Sequence, residues 1–308
     1  MTGVLQGFAV IAVIIAVGYV LARTDVLGEN ARLVLSRFVF FVAAPSLLFT
    51  VVAAAKPAVL LSPVAAVSAL SAVAAGAAYA AVARLAWKRP LGPLTVGALS
   101  SGYVNANNIG LPVAVYVLGS AAYTAPVILL QLAVFAPASL MVLDAATREG
   151  RRTLGGTLLS SLRNPLIVAA LLGLLVSLAA VPVPALVLEP LRLLAGASVP
   201  LMLAGFGMSL FGVRPLAARG QRRDVLLASA LKLLLMPAVA LALGVLVFRL
   251  DPRLLHVAVV LAALPTAQNV QVYAMRYGTG VVLARDAGLL TTVAAIPVLL
   301  VVSLLLVP

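Results

Sequence analysis

Two stretches of this 308-residue chain set amide side chains beside a proline inside otherwise apolar sequence. In the first, Asn105, Asn107 and Asn108 run up to Gly110-Leu111-Pro112; in the second, Pro265 is followed by Thr266-Ala267-Gln268-Asn269. An Asn or Gln amide donates N–H groups to a carboxylate without bringing a charge that needs its own partner. Carboxamides, glycines and a proline in mid-run predict a helix that breaks, and within a bilayer freed backbone is tolerated only where it lines a cavity. Pro112 and Pro265 suit the first position of a new half-helix, where the missing N–H costs nothing. A half-helix starting at each would aim its positive end at the break. The chemistry this predicts is reversible binding of an anion, a carboxylate above all. The plainer reading is that the amides satisfy one another between packed helices and the prolines are kinks.

Lys232 is the third candidate. It follows Asp224 by eight residues, about 12 Å of helix rise, and an ionisable group at that depth is a functional candidate by default. Two readings stay open: a side chain that snorkels to the surface, or a fixed or titratable cation near the breaks. Arg37 reads as an ordinary snorkelling side chain, and Asp286 and His256 as interfacial groups. No Asp or Glu falls in the core of an apolar run, whereas sodium sites and proton relays commonly use such carboxylates.

These residues are carried on elements of one kind. Hydrophobic residues make up 64% of the chain and charged ones 9%, against about 25% charged in soluble domains; mean hydropathy is +1.21. Runs of about 18 to 25 apolar residues recur from end to end, each long enough to cross a bilayer as a helix. The expected spans are Gly3 to Leu21, Leu33 to Ala54, Ser62 to Ala86, Pro93 to Leu118 and Tyr123 to Leu143, then Pro165 to Val181, Ala185 to Phe211, Val225 to Phe248, Leu254 to Met275 and Val281 to Val307. The first lacks a basic leader and is too long for a signal peptide.

The net charge of +13 is spread over short connectors, which sets orientation and gives no nucleic-acid surface. Sixteen of the 21 Lys and Arg lie in one alternate set of connectors and four in the other, placing both termini outside the cytoplasmic membrane. With no cysteine, thiolate metal sites and cysteine nucleophiles are excluded, and with one histidine and no carboxylate cluster in the apolar runs an enzyme has little to work with; no metal or cofactor is expected.

Prolines suggest an internal repeat. Pro45 matches Pro200, Pro112 matches Pro265 and Pro137 matches Pro297, at offsets of 155, 153 and 160 residues. The alternative is chance, since proline is common in membrane helices. The expected architecture is an all-α integral membrane protein of ten transmembrane helices, a 5 + 5 inverted repeat with broken, crossing helices four and nine. Residues 1–143 form the first repeat, 144–163 a cytoplasmic connector and 164–308 the inverted second repeat.

In order and spacing, five stretches resemble the auxin efflux carrier family, particularly its short prokaryotic members. They are Leu35-Ser36-Arg37 through Ala44-Pro45-Ser46-Leu47, the Asn-rich break ending at Pro112, Asn164-Pro165-Leu166-Ile167, Ala197-Ser198-Val199-Pro200 through Gly207-Met208-Ser209, and Leu264-Pro265-Thr266-Ala267. The resemblance implies helices one, two, six and seven as scaffold and helices three to five and eight to ten as a moving transport unit. It implies export or exchange of an organic anion, often by a homodimer, with the substrate carboxylate at Asn105, Asn107 or Asn108 and at Gln268 and Asn269. The chain lacks the long central loop of the plant carriers and their Asn-Pro-Asn-Thr-Tyr break, so auxin itself is not the expected substrate. A sodium-coupled bile-acid-type symporter shares the crossover design, but the missing intramembrane carboxylates count against it.

Overall fold

The computed structural model describes residues 2–28, 30–54, 63–147, 165–212, 216 and 219–306. Most of the expected connector, with Arg148, Arg151, Arg152, Arg163 and Asn164, lies outside these residues, as do Lys56 and Arg214. Regular structure among the described residues is helical; the one β feature is an isolated bridge. Among the described residues five helices are long and apolar enough to cross a membrane: Ala31–Ala54, Val64–Leu85, Ala185–Leu210, Arg222–Val247 and Val281–Leu306. Shorter apolar helices include Ala9–Thr24, Pro165–Ala179 and Pro252–Ala262. Large apolar side chains such as Val13, Leu175, Leu186, Leu246 and Leu305 stand exposed, the pattern of helices whose outer faces meet lipid.

Several helices contain one π-helical turn, placed by proline. The turns Val39–Ala43, Ala106–Gly110 and Leu231–Leu235 each end two residues before a proline, Pro45, Pro112 and Pro237. A proline ring clashes with the carbonyl four residues back and offers it no N–H; one widened turn moves that carbonyl aside and lets the helix continue.

Contacts divide the chain into two compact units. The first takes residues 1–62, 107–129 and 159–213. In it helix Thr2–Thr24 packs along Ala185–Leu210 so closely that a Cβ at Gly18 would strike the Ala204 carbonyl and one at Gly207 the Ile15 carbonyl. Apolar side chains have no hydrophobic drive to leave lipid, so such backbone-to-backbone approach through small residues supplies the attraction. Helix Pro165–Ala179 packs on Ala44–Ala54, with Gly173 against Phe49 and Val52.

The second unit takes residues 63–106, 130–158 and 214–308. Its helices Val64–Leu85 and Leu91–Gly102 pack through Gly76 on Ala98 and Gly102 on Ala72. Three carboxylates fasten its helix ends. Asp224 accepts from the Tyr79 hydroxyl at 3.1 Å and from Arg89 Nε and Nη2, at 3.0 and 2.6 Å. Asp144 accepts from the Tyr277 hydroxyl at 2.6 Å. Asp286 accepts from the Leu216 N–H and from Arg285, at 3.0 and 2.8 Å. Asp286 is therefore a buried tie between segments, and His256 is likewise buried.

Candidate binding site

Both expected breaks exist, and the residues that shape them explain why. Helix Leu91–Gly102 stops where Gly102 packs against the Ala72 carbonyl; Tyr103 then turns to extended backbone, φ −88° and ψ 108°. The chain resumes as the π turn Ala106–Gly110 and helix Leu111–Tyr116. Helix Pro252–Ala262 likewise gives way before Pro265 and restarts as Gln268–Arg276. A proline biases the residue ahead of it away from helix and cannot donate to the preceding turn.

The position expected of the prolines needs correcting. Neither Pro112 nor Pro265 opens its half-helix: Pro112 lies one residue into helix Leu111–Tyr116, after the π turn, and Pro265 lies in the gap itself, three residues ahead of Gln268. In the gap Pro265 needs no donor, and its carbonyl accepts from the Asn105 N–H at 2.8 Å.

Within the second unit the two gaps pair with each other. Val104 and Thr266 form an antiparallel bridge, flanked by Asn105 N–H to the Pro265 carbonyl and Ala267 N–H to the Tyr103 carbonyl, 2.9 Å. Hydrogen bonds on either side and none between the pair itself mark the close type of antiparallel pairing. Every backbone group freed by a break must find a partner when water is absent, and side chains provide the rest. The Thr266 hydroxyl donates to the Ser100 carbonyl at 2.6 Å, Gln131 Nε2 donates to the Val104 carbonyl at 3.0 Å, and the Thr266 N–H donates to Thr291 Oγ1 at 3.1 Å. The Ala262 carbonyl accepts from Lys232 Nζ at 2.7 Å.

The candidate residues are distributed unevenly around this pairing. Asn105 is buried, whereas Gln268 and Asn269, in the first turn of the restarted helix, are exposed. Tyr103 interacts with Asn269 and with Tyr273, whose ring stands edge-on to its own at 6.4 Å. Asn107, Asn108 and Pro112 belong to the first unit; there Asn107 Nδ2 donates to Asn108 Oδ1 at 3.0 Å, and both side chains are partly exposed. Lys232 does not snorkel: it is fully buried, against Met236 Sδ at 3.1 Å and the Ala262 carbonyl. A cavity of about 370 Å³ beside the first gap has a mostly apolar lining, Ala72, Gly76, Ala98, Gly102 and Phe135 among others, with no ionisable carboxylate, Lys or Arg.

Sequence reasoning passed over Tyr103, Gln131, Thr266, Tyr273 and Thr291. One signal was available: Asn107, Gln131 and Lys232 are each a polar residue in an apolar run, five or six places ahead of a proline, and each sits in the π turn that precedes it. π turns recur at functional positions in helices.

Among the described residues no cluster of His, Asp or Glu has the makings of a metal site. The arrangement can hold an anion by amide and hydroxyl donors; nothing in it activates a nucleophile. Against models of protein families, residues 4–303 match the one described as membrane transport protein. No curated protein matches the chain.

Proposed function

From the premise that this chain belongs to the membrane transport protein family, that of the auxin efflux carriers, we propose that it is a secondary transporter moving an organic anion across the cytoplasmic membrane by alternating access. The family is one of transporters rather than enzymes. The substrate carboxylate binds where the two gaps meet, held by the amides of Asn105, Gln268 and Asn269 and by the first N–H groups of helix Gln268–Arg276. Pro265 keeps its segment from closing into continuous helix, and Pro112, inside helix Leu111–Tyr116, shapes the π turn that carries Asn107 and Asn108.

The observation that carries this reading is the pairing of Val104 with Thr266, because it brings two interrupted helices of opposite halves together and points a helix N-terminus into the interruption. Ten spans in two inverted repeats, helices four and nine crossing near mid-membrane and both termini outside complete the proposal. In this proposal helices one, two, six and seven are the scaffold and helices three to five and eight to ten carry the substrate; the first compact unit holds the former together with residues 107–129 of helices four and five.

Thermal shift of the detergent-purified protein with a panel of mono- and dicarboxylates tests the reading, since a ligand that binds only the folded state raises its stability by mass action. At least one carboxylate is expected to raise the melting temperature, and Asn105→Ala, Gln268→Ala and Asn269→Ala to weaken that response without loss of fold. No response to any carboxylate, or three variants that all respond as wild type does, overturns it.

A further inference from the structure

Lys232 presents a charge problem whose solution is visible around it. Its side chain has 0% exposure, and among the described residues no carboxylate forms an ion pair with it. The acids on the helices packed about its π turn are engaged elsewhere, Asp224 with Tyr79 and Arg89, and Asp286 with Leu216 and Arg285. An ammonium buried without any counter-charge is strongly unfavourable.

What faces the ammonium is the end of a helix. Ala262 is the last residue of Pro252–Ala262, and such an end carries about half a negative charge on carbonyls that lack partners. In a continuous helix the Ala262 carbonyl would accept from the Thr266 N–H, but that N–H is turned to Thr291. The break therefore leaves a carbonyl oxygen at a negative helix end, beside a fully buried side chain, and such a position favours a cation.

We propose that Lys232 is a tethered cation filling a monovalent-cation site at the break before Pro265, and that the protein consequently needs no inorganic cation there. The consequence for transport, sodium independence, rests on the transporter reading; occupancy of the site by Lys232 does not. The ammonium stabilises the open carbonyl of Ala262 in place and puts a positive charge beside the paired gaps. A protein that held a coupling metal ion at this position would have to leave it free.

The test uses sodium and propylammonium as probes on the detergent-purified full chain, with choline chloride as the inert control. For wild type, radiolabelled sodium binding is expected at background, with equal melting temperatures in sodium and choline. Lys232→Ala is expected to melt lower in choline and to recover by about 2 °C or more in propylammonium or sodium, because a free cation then enters the vacated place. Lys232→Gln keeps a donor for Ala262 but no charge; it is expected to melt lower than wild type and to bind no propylammonium, having no room for it. Sodium binding by wild type, or Lys232→Ala and Lys232→Gln both as stable as wild type and indifferent to either cation, overturns the proposal. A wild type indifferent to sodium and also to every carboxylate leaves the tethered cation standing and removes the transporter reading.

Discussion

The Ala262 carbonyl and the Thr266 N–H, which one more turn of helix would join, each bond instead to a side chain from a different helix: Lys232 takes the first and Thr291 the second. The broken helix is thus held open by named partners rather than by the mere presence of Pro265. Thr291 can serve because its hydroxyl hydrogen goes to the Ala287 carbonyl, 2.7 Å away, leaving a lone pair for Thr266. Thr291→Val is expected to destabilise the protein by about 1–3 kcal/mol, the usual cost of a buried donor left without a partner. Thr291→Ser, which keeps the acceptor, should recover most of it. Thermal melts of the two variants side by side check this.

Thr266→Val removes the hydroxyl that reaches the Ser100 carbonyl at 2.6 Å while keeping shape and volume. The freed carbonyl ends the first broken helix, so the loss is expected to fall on the pairing of the two gaps. Amide exchange of Asn105 and Ala267, the two N–H groups flanking the bridge, should accelerate more than exchange in helix Val64–Leu85. Equal acceleration in both places would contradict the assignment.

Tyr79 reaches Asp224 by lying across Gly97, whose missing Cβ is what makes the passage. Gly97→Ala puts a methyl into the tyrosine ring, and overpacking of this kind costs about 1–3 kcal/mol. Tyr79→Leu is expected to relieve part of that penalty, so the double variant should melt above the sum of the single effects; additive losses would show that the two do not meet.

Arg89 and Asp224 form an unequal pair, the arginine side chain 32% exposed and the carboxylate 5%. The hydrogen bond to Asp224 holds Arg89 still more firmly in its charged form, raising its pKa above the ordinary guanidinium value. Arg89→Ala strands a buried carboxylate with only Tyr79 to face it, a loss of about 3 kcal/mol, whereas Arg89→Ala with Asp224→Asn should lose less because no buried charge remains. Melting temperatures of the single and double variants decide it.

Gly18 and Gly207 let two helix backbones touch in the first unit. Gly207→Leu is expected to lower the yield of folded, membrane-inserted protein sharply, while Gly205→Leu, where an added Cβ meets nothing within 4 Å, should be far milder. Fluorescence-detected size exclusion of the two variants makes the comparison, and similar profiles would argue against a close helix contact.

Much was legible in the residues alone. Apolar runs bounded by charge fix where helices lie, because burial of backbone in lipid leaves helix as the economical form for each run. The gaps after Gly102 and before Gln268 followed from glycine, proline and carboxamides in mid-run, which act on their own stretch of chain. The half-helix starts differ from the expected ones, by one residue at Pro112, where a π turn lets proline sit inside the helix, and by three at Pro265, which lies in the gap itself; both accommodations depend on how the turns pack.

What only the tertiary structure decided is which distant groups complete the breaks. Thr266 meets Ser100 from 166 residues away, Lys232 meets Ala262 from 30 and Gln131 meets Val104 from 27. Hydropathy and spacing record what each segment does with its neighbours in sequence. A carbonyl freed by a break is satisfied by whatever donor the packing of other helices brings within about 3 Å, and no local pattern carries that information.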